Sequence, residues 1–147
     1  MLVWGDKMFA RFEEIEGFIV KGYSIVNGQK ADIPFQWKKL ESELEKVNIH
    51  PKIKYGVYIS MDNDSYHYVA GIVSSAAKGL NDTDQVLVAA GRYLVGIVEN
   101  GIEGIPASIE ALLNVKGIKF RHAPCFEKFC EKDGTEKREI EVWIPIE

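Results

Sequence analysis

The sequence predicts an α+β fold: two pseudo-symmetric β-α-β-β units that form one antiparallel sheet, with the helices on one face and a ligand cleft where the units meet. Three observations carry this. The order of elements runs through the chain twice. Ile33, Pro34, Trp37 and Leu40 stand 72 positions before Ile105, Pro106, Ile109 and Leu112. Tyr55 and Tyr58 stand 71 positions before Phe126 and Phe129, so the offset changes by one residue in the loop after each helix. A fixed offset in both order and residue type is the mark of an internal repeat.

In the first unit, Phe18 to Val26 is a β-rich run that stops at Asn27-Gly28. A helix follows. Asp32 suits its N-cap, and Pro34 is tolerated in its first turn. Ile33, Trp37, Leu40, Leu44 and Val47 recur at helical spacing and define one apolar face. Asn48 and Pro51 end it. Ile53 to Ser60 and Tyr66 to Ser74 read as two strands of a hairpin, joined by the turn cluster Asp62-Asn63-Asp64-Ser65.

The second unit repeats this. Val86 to Val98 is β-like and interrupted by Gly91, and Asn100-Gly101 echoes Asn27-Gly28. A helix carries Ile105, Ile109 and Leu112, with Gly117 placed to cap its end. Cys125 to Cys130 and Glu139 to Ile146 are strands around the turn Lys132-Asp133-Gly134-Thr135. The whole reads as one domain over 1–147, with halves at approximately 9–77 and 84–147.

Composition narrows the function. At 147 residues, the chain is long enough to bury a core without disulfides or a metal. A net charge of −4 speaks against direct nucleic-acid binding, which needs clustered Lys and Arg. No apolar run reaches the ~20 residues of a membrane span. With no signal peptide at the N-terminus, the expected setting is cytoplasmic, and Cys125 and Cys130 are expected to be reduced. Their spacing to His122 fits no zinc pattern, and no cofactor is expected. Asp62-Asn63-Asp64 lacks the glycine and terminal glutamate of a calcium loop.

The residues of several segments, taken in order, resemble a known family. They are Ala31-Asp32-Ile33-Pro34-Phe35-Gln36-Trp37, Tyr55-Gly56-Val57-Tyr58, Tyr66-His67-Tyr68-Val69-Ala70-Gly71, Gly91-Arg92-Tyr93, Phe126-Glu127 and Glu141-Val142-Trp143-Ile144-Pro145-Ile146. From about Phe9 onward the chain resembles the GyrI-like effector-binding domains of AraC- and MerR-type multidrug regulators. More narrowly, it is similar to the stand-alone integron-associated effector-binding proteins.

The resemblance implies a cavity between helices and sheet, lined by aromatics and holding one buried acid. Carried over by position, the acid is Glu127, and Trp37, Tyr58 and Tyr68 are aromatic lining. Ile109 is the counterpart of Trp37, and Phe129 shares the strand face of Glu127. Too few residues precede Phe18 for a helix-turn-helix, so transcriptional control by this chain alone is not expected, and a separate regulator protein is one partner considered. A homodimer is the other partner considered.

The residues themselves point the same way. Three Trp, six Tyr and seven Phe provide faces that attract organic cations. A carboxylate among them selects for positive charge, and its burial raises its pKa. The expected ligand is thus a small lipophilic cation. Strand parity puts Cys125, Glu127 and Phe129 on one face. The offset sets Gly56 opposite Glu127, where a glycine leaves room for a ligand. Trp143 shares a face with Glu141 and is expected outside the core, where an exposed Trp would suggest a dimer contact. Two other functions remain open: a hydrolase using Glu127 with Tyr58 or Tyr68, and a protein-interaction module of the gyrase-inhibitor kind.

Overall fold

The computed structural model describes residues 2–4, 7–62, 65–131 and 138–147. Asn63 and Asp64 of the first predicted turn, and all of the second, lie outside the described residues. In chain order the elements are β1 (Leu2–Trp4), β2 (Lys7–Ile15), β3 (Phe18–Gly28), α1 (Ile33–Lys46), β4 (Ile53–Asp62), β5 (Ser65–Val73), β6 (Asp84–Val88), β7 (Gly91–Ile97), α2 (Ile105–Leu113), β8 (Cys125–Glu131) and β9 (Arg138–Ile146).

All these strands join one antiparallel sheet in the order β1-β2-β7-β9-β8-β4-β5-β3-β6. The order is symmetric about the β8/β4 seam. Outward from it, β8-β9-β7-β2 on one side answers β4-β5-β3-β6 on the other. At the seam Gly56 pairs with Glu127. These are the residues the 71-position offset makes equivalent, so the pseudo-twofold axis passes through this pair.

Each unit also has a leading strand that the periodicity did not reveal, and the two are exchanged. β2 pairs with β7 of the second unit, and β6 pairs with β3 of the first. The run from Val86 to Val98 is therefore two strands in different parts of the sheet. Gly91, at φ +128, breaks it. That conformation suits glycine and penalises a side chain. The Tyr93 hydroxyl donates to the Ala89 carbonyl (2.6 Å) and pins the turn.

Two helix signals act differently from expectation. Asp32 does hold the N-cap position of α1, but with helical φ and ψ of its own and no side-chain capping bond, and it closes a 3-10 turn over Lys30–Asp32. Its carboxylate instead accepts from the Gln29 backbone N–H (2.8 Å), one turn earlier. α2 stops at Leu113, and the Asn114 side chain donates to the Glu110 carbonyl (2.9 Å). Gly117, at φ +81, turns the chain beyond the helix and does not cap it. Asn48 does end α1. It adopts φ 57, Ile49 N–H donates to Leu44 O (3.0 Å), and Asn48 N–H donates to Glu45 O (3.2 Å). This is a Schellman closure with asparagine in the usual glycine position.

Both faces of the sheet contribute buried residues. On the helix side, α1 packs Leu40 and Leu44 against Tyr23, Tyr68, Ala70 and Ile72, while α2 packs Ile105 and Leu112 against Leu94, Phe129 and Val142. On the other side the sheet curls on itself around Val20, Val57, Val69, Tyr93, Val95, Phe126 and Trp143. Phe18 of β3 reaches the ring of Phe126 on β8 (6.2 Å between centroids), across two intervening strands.

The curl corrects the expectation for Trp143, which is only 6% exposed. Its ring stacks on Phe126 (5.3 Å, 17°), and its indole N–H donates to Glu141 (3.1 Å). Glu141 in turn receives Arg11 (2.7 Å). Parity put Glu141 and Trp143 on one face correctly, but that face is interior. The dimer contact inferred from an exposed tryptophan loses its basis.

Candidate functional site

A cavity of about 1090 Å³ lies between α1, α2 and the sheet. All six side chains singled out from sequence line it: Trp37, Tyr58, Tyr68, Ile109, Glu127 and Phe129. Each reaches it for a local reason. Trp37 and Ile109 lie at equivalent places on the apolar faces of α1 and α2. Glu127 and Phe129 are two apart on β8 and so share a face. Tyr58 and Tyr68 are cross-strand partners on β4 and β5. Just beyond Tyr58 the ladder slips before Ser60, a bulge that ends regular pairing at the cavity edge.

At the cavity floor Glu127 is 4% exposed. Tyr68 donates to its Oε1 (2.8 Å) and Tyr58 to its Oε2 (2.9 Å). Trp37 Nε1–H donates to the Tyr68 hydroxyl (2.9 Å). Donor directions follow from chemistry, because indole N–H only donates and an ionised carboxylate only accepts. Among the described residues no cation pairs with Glu127; its partners are neutral hydroxyls.

Burial pushes the Glu127 carboxyl up to about 7, and the Tyr68 and Tyr58 hydrogen bonds only partly oppose this. Burial likewise raises both tyrosines, with the Glu127 charge next in effect. Burial also lifts the neighbouring Cys125 thiol to about 11, so it is a protonated, inert group.

The rings form a tight collar. Tyr58 and Tyr68 meet edge to face (4.8 Å), as do Trp37 and Phe129 (4.9 Å). Such pairs contribute roughly 0.5–1.5 kcal/mol each beyond their burial.

The pseudo-symmetric pocket is chemically lopsided. The first unit supplies polar aromatics, Trp37 and Tyr58. At the equivalent positions the second supplies Ile109 and Phe129. The axis itself carries Gly56 on one side and the acid on the other.

One expectation about this pair is corrected. The room above Gly56 is filled by Tyr68 and is not left for a ligand. A Cβ on Gly56 would collide with the Tyr68 hydroxyl and lie 2.6 Å from Glu127 Oε1.

The structure adds lining that the site reading missed. Ile33-Pro34 and Ile105-Pro106, the repeated phrase, sit on the wall, as does Tyr66, whose ring lies near Tyr58 (6.4 Å). The signal was the phrase itself: a repeated pair placed about an axis faces its own copy across the junction. Exposed Lys30, Lys38, Glu41, Glu45 and Glu103 line the mouth, giving it mixed charge. Among the described residues no group of three or more His, Cys, Asp or Glu is arranged to hold a metal ion. No described helix is long and apolar enough to cross a membrane.

A sheet with an internal twofold, two helices over one face and an aromatic cavity at the seam define the effector-binding class. The profile of the integron-associated effector binding protein family, Cass2, matches residues 11–146, and the chain belongs to that family. No curated protein matches it by sequence.

Solved structures share the fold. An integron cassette protein from the mobile metagenome of Vibrio cholerae is 18% identical over 95% of this chain and 97% of its own, with a TM-score of 0.71. The protein SAV2435, solved bound to tetraphenylphosphonium, is 18% identical over 95% of this chain and 94% of its own, with a TM-score of 0.70. A hydrolase from Listeria innocua is 8% identical over 98% of this chain and 94% of its own, with a TM-score of 0.52.

Proposed function

We propose that this chain, as one effector-binding domain over 1–147, binds amphipathic lipophilic cations in the cavity above Glu127. One observation carries the reading: Glu127 is a buried carboxylate with neutral hydrogen-bond partners, at the floor of an aromatic-walled cavity. Holding such a charge out of water costs free energy that two hydroxyls offset only in part. A cation carried in by an apolar body supplies the missing counter-charge. The aromatic collar meets that body without demanding one shape. The phosphonium bound by SAV2435 has this chemistry.

The same geometry favours binding over hydrolysis. Each carboxylate oxygen already accepts a hydrogen bond from a tyrosine and the group is 4% exposed, which leaves it poorly placed to take a proton from an attacking water.

The test is a cycle of two proteins and two ligands. Calorimetry measures a lipophilic cation and its neutral isostere against wild type and Glu127→Gln. At 4–5 Å in a partly dry site the charge contributes on the order of 1–4 kcal/mol. The cation is expected to lose tenfold or more in affinity, and the neutral ligand less than twofold. A coupling energy of zero would make Glu127 an ordinary strand residue and sink the proposal.

A further inference from the structure

The way Glu127 is held bears on which cations the cavity takes. Its two oxygens are each capped by a tyrosine proton, Oε1 by Tyr68 and Oε2 by Tyr58. The Tyr68 oxygen already accepts the Trp37 indole N–H. The Cβ position of Gly56 lies against both Oε1 and the Tyr68 hydroxyl. Each carboxylate oxygen keeps a second lone pair, but the group is 4% exposed, so little of that remaining acceptor surface faces the cavity. What the floor offers a ligand is a negative field seen past ring edges and faces. It offers few free lone pairs.

A primary ammonium is a compact, strongly hydrated charge with three N–H donors. Entering such a floor, it gives up its water without gaining three acceptors, and an unmade hydrogen bond in a dry site is costly. A quaternary ammonium or phosphonium wraps its charge in carbon. It has no donor to satisfy, holds its water weakly and still feels the field.

Resting on the cation-binding reading above, we infer that the site selects cations without N–H donors over protonated amines of the same skeleton, and that Tyr58 and Tyr68 set this preference by occupying the carboxylate. Tyr58 and Tyr68 are therefore specificity-determining residues whose role goes beyond aromatic lining. Trp37 is a positioning residue that fixes the Tyr68 hydroxyl.

The experiment uses 4-phenylbutyltrimethylammonium, 4-phenylbutylammonium and the neutral tert-butyl isostere of the first. Calorimetry at pH 8 keeps the primary amine protonated. Wild type is expected to bind the trimethylammonium at least tenfold tighter than the primary ammonium. Tyr58→Phe keeps the ring and frees a lone pair on Oε2. It should shrink that ratio at least threefold, mainly by strengthening the primary ammonium. The extra methyl groups contribute equally in both proteins, so the change in ratio isolates the freed acceptor.

A wild-type ratio of one or less overturns the inference while leaving cation binding intact, provided both cations outbind the neutral isostere. If neither does, the underlying reading fails as well. A ratio unchanged in a folded Tyr58→Phe protein refutes the capping argument. Should that variant not fold, the wild-type ratio alone still decides.

Discussion

Glu127→Gln should stabilise the empty protein at neutral and alkaline pH, and the size of the gain follows from the site. The carboxyl is raised from 4.5 to about 7, chiefly by desolvation. Between those values the folded state holds a proton that the unfolded chain has released. Folding there takes up a proton, so stability declines as pH rises through the window. The cost is absent well below 4.5 and complete above about 7. At 1.36 kcal/mol per pH unit it amounts to about 3 kcal/mol.

Glutamine fills the same volume without the charge, and its carbonyl can accept from Tyr58 or Tyr68. Its amide N–H groups need acceptors and return part of the gain, about 1–2 kcal/mol. The variant is therefore expected to be about 1–2 kcal/mol more stable at pH 8. The difference between the two proteins should change by about 2–3 kcal/mol between pH 5 and pH 8. Urea unfolding of both proteins at the two pH values reads this directly. Titrations near pH 5 by other carboxylates cancel in the comparison. A glutamine variant less stable than wild type at pH 8, or a difference independent of pH, would refute the claim that Glu127 is a destabilising buried charge.

Three further outcomes follow from the same geometry. Cation affinity should fall up to about tenfold per pH unit below 7, because the ligand must displace the Glu127 proton; calorimetry at pH 6 in buffers of different ionisation enthalpy should show net proton release, and no release would contradict it. Trp37→Phe should abolish most ligand-induced quenching of tryptophan fluorescence while calorimetric binding persists, since Trp143 is buried on the opposite face of the sheet; an undiminished quench would place the reporter elsewhere. Gly56→Ala should destabilise by about 1–3 kcal/mol, because its methyl group would displace Tyr68 and press on Glu127; thermal unfolding unchanged from wild type would show that the floor is not packed as described.

What the sequence determined by itself is local or periodic. Helical spacing from Ile33 to Val47 defined α1. Two-residue periodicity put Glu127 with Phe129, and Glu141 with Trp143, on shared faces. The repeated Ile-Pro phrase marked two equivalent units, and the 71-position offset of Tyr55 and Tyr58 made Gly56 the counterpart of Glu127. These features rest on interactions within a few residues, or on comparing the chain with itself.

Tertiary structure decided the rest. β2 alternates Ala10 and Phe12 with Arg11 and Glu13, yet Phe12 is 42% exposed and Arg11 reaches the buried Glu141, so the alternation does not mark the core face. That β2 and β6 cross to the opposite unit depends on pairings between distant strands, which no local pattern encodes. Trp143 became core because the sheet curls, turning a face that parity alone leaves undetermined into an interior. The space above Gly56 went to Tyr68 for a similar reason. Which side chain fills a gap depends on every element reaching it, and the hydroxyl that arrives comes from a neighbouring strand.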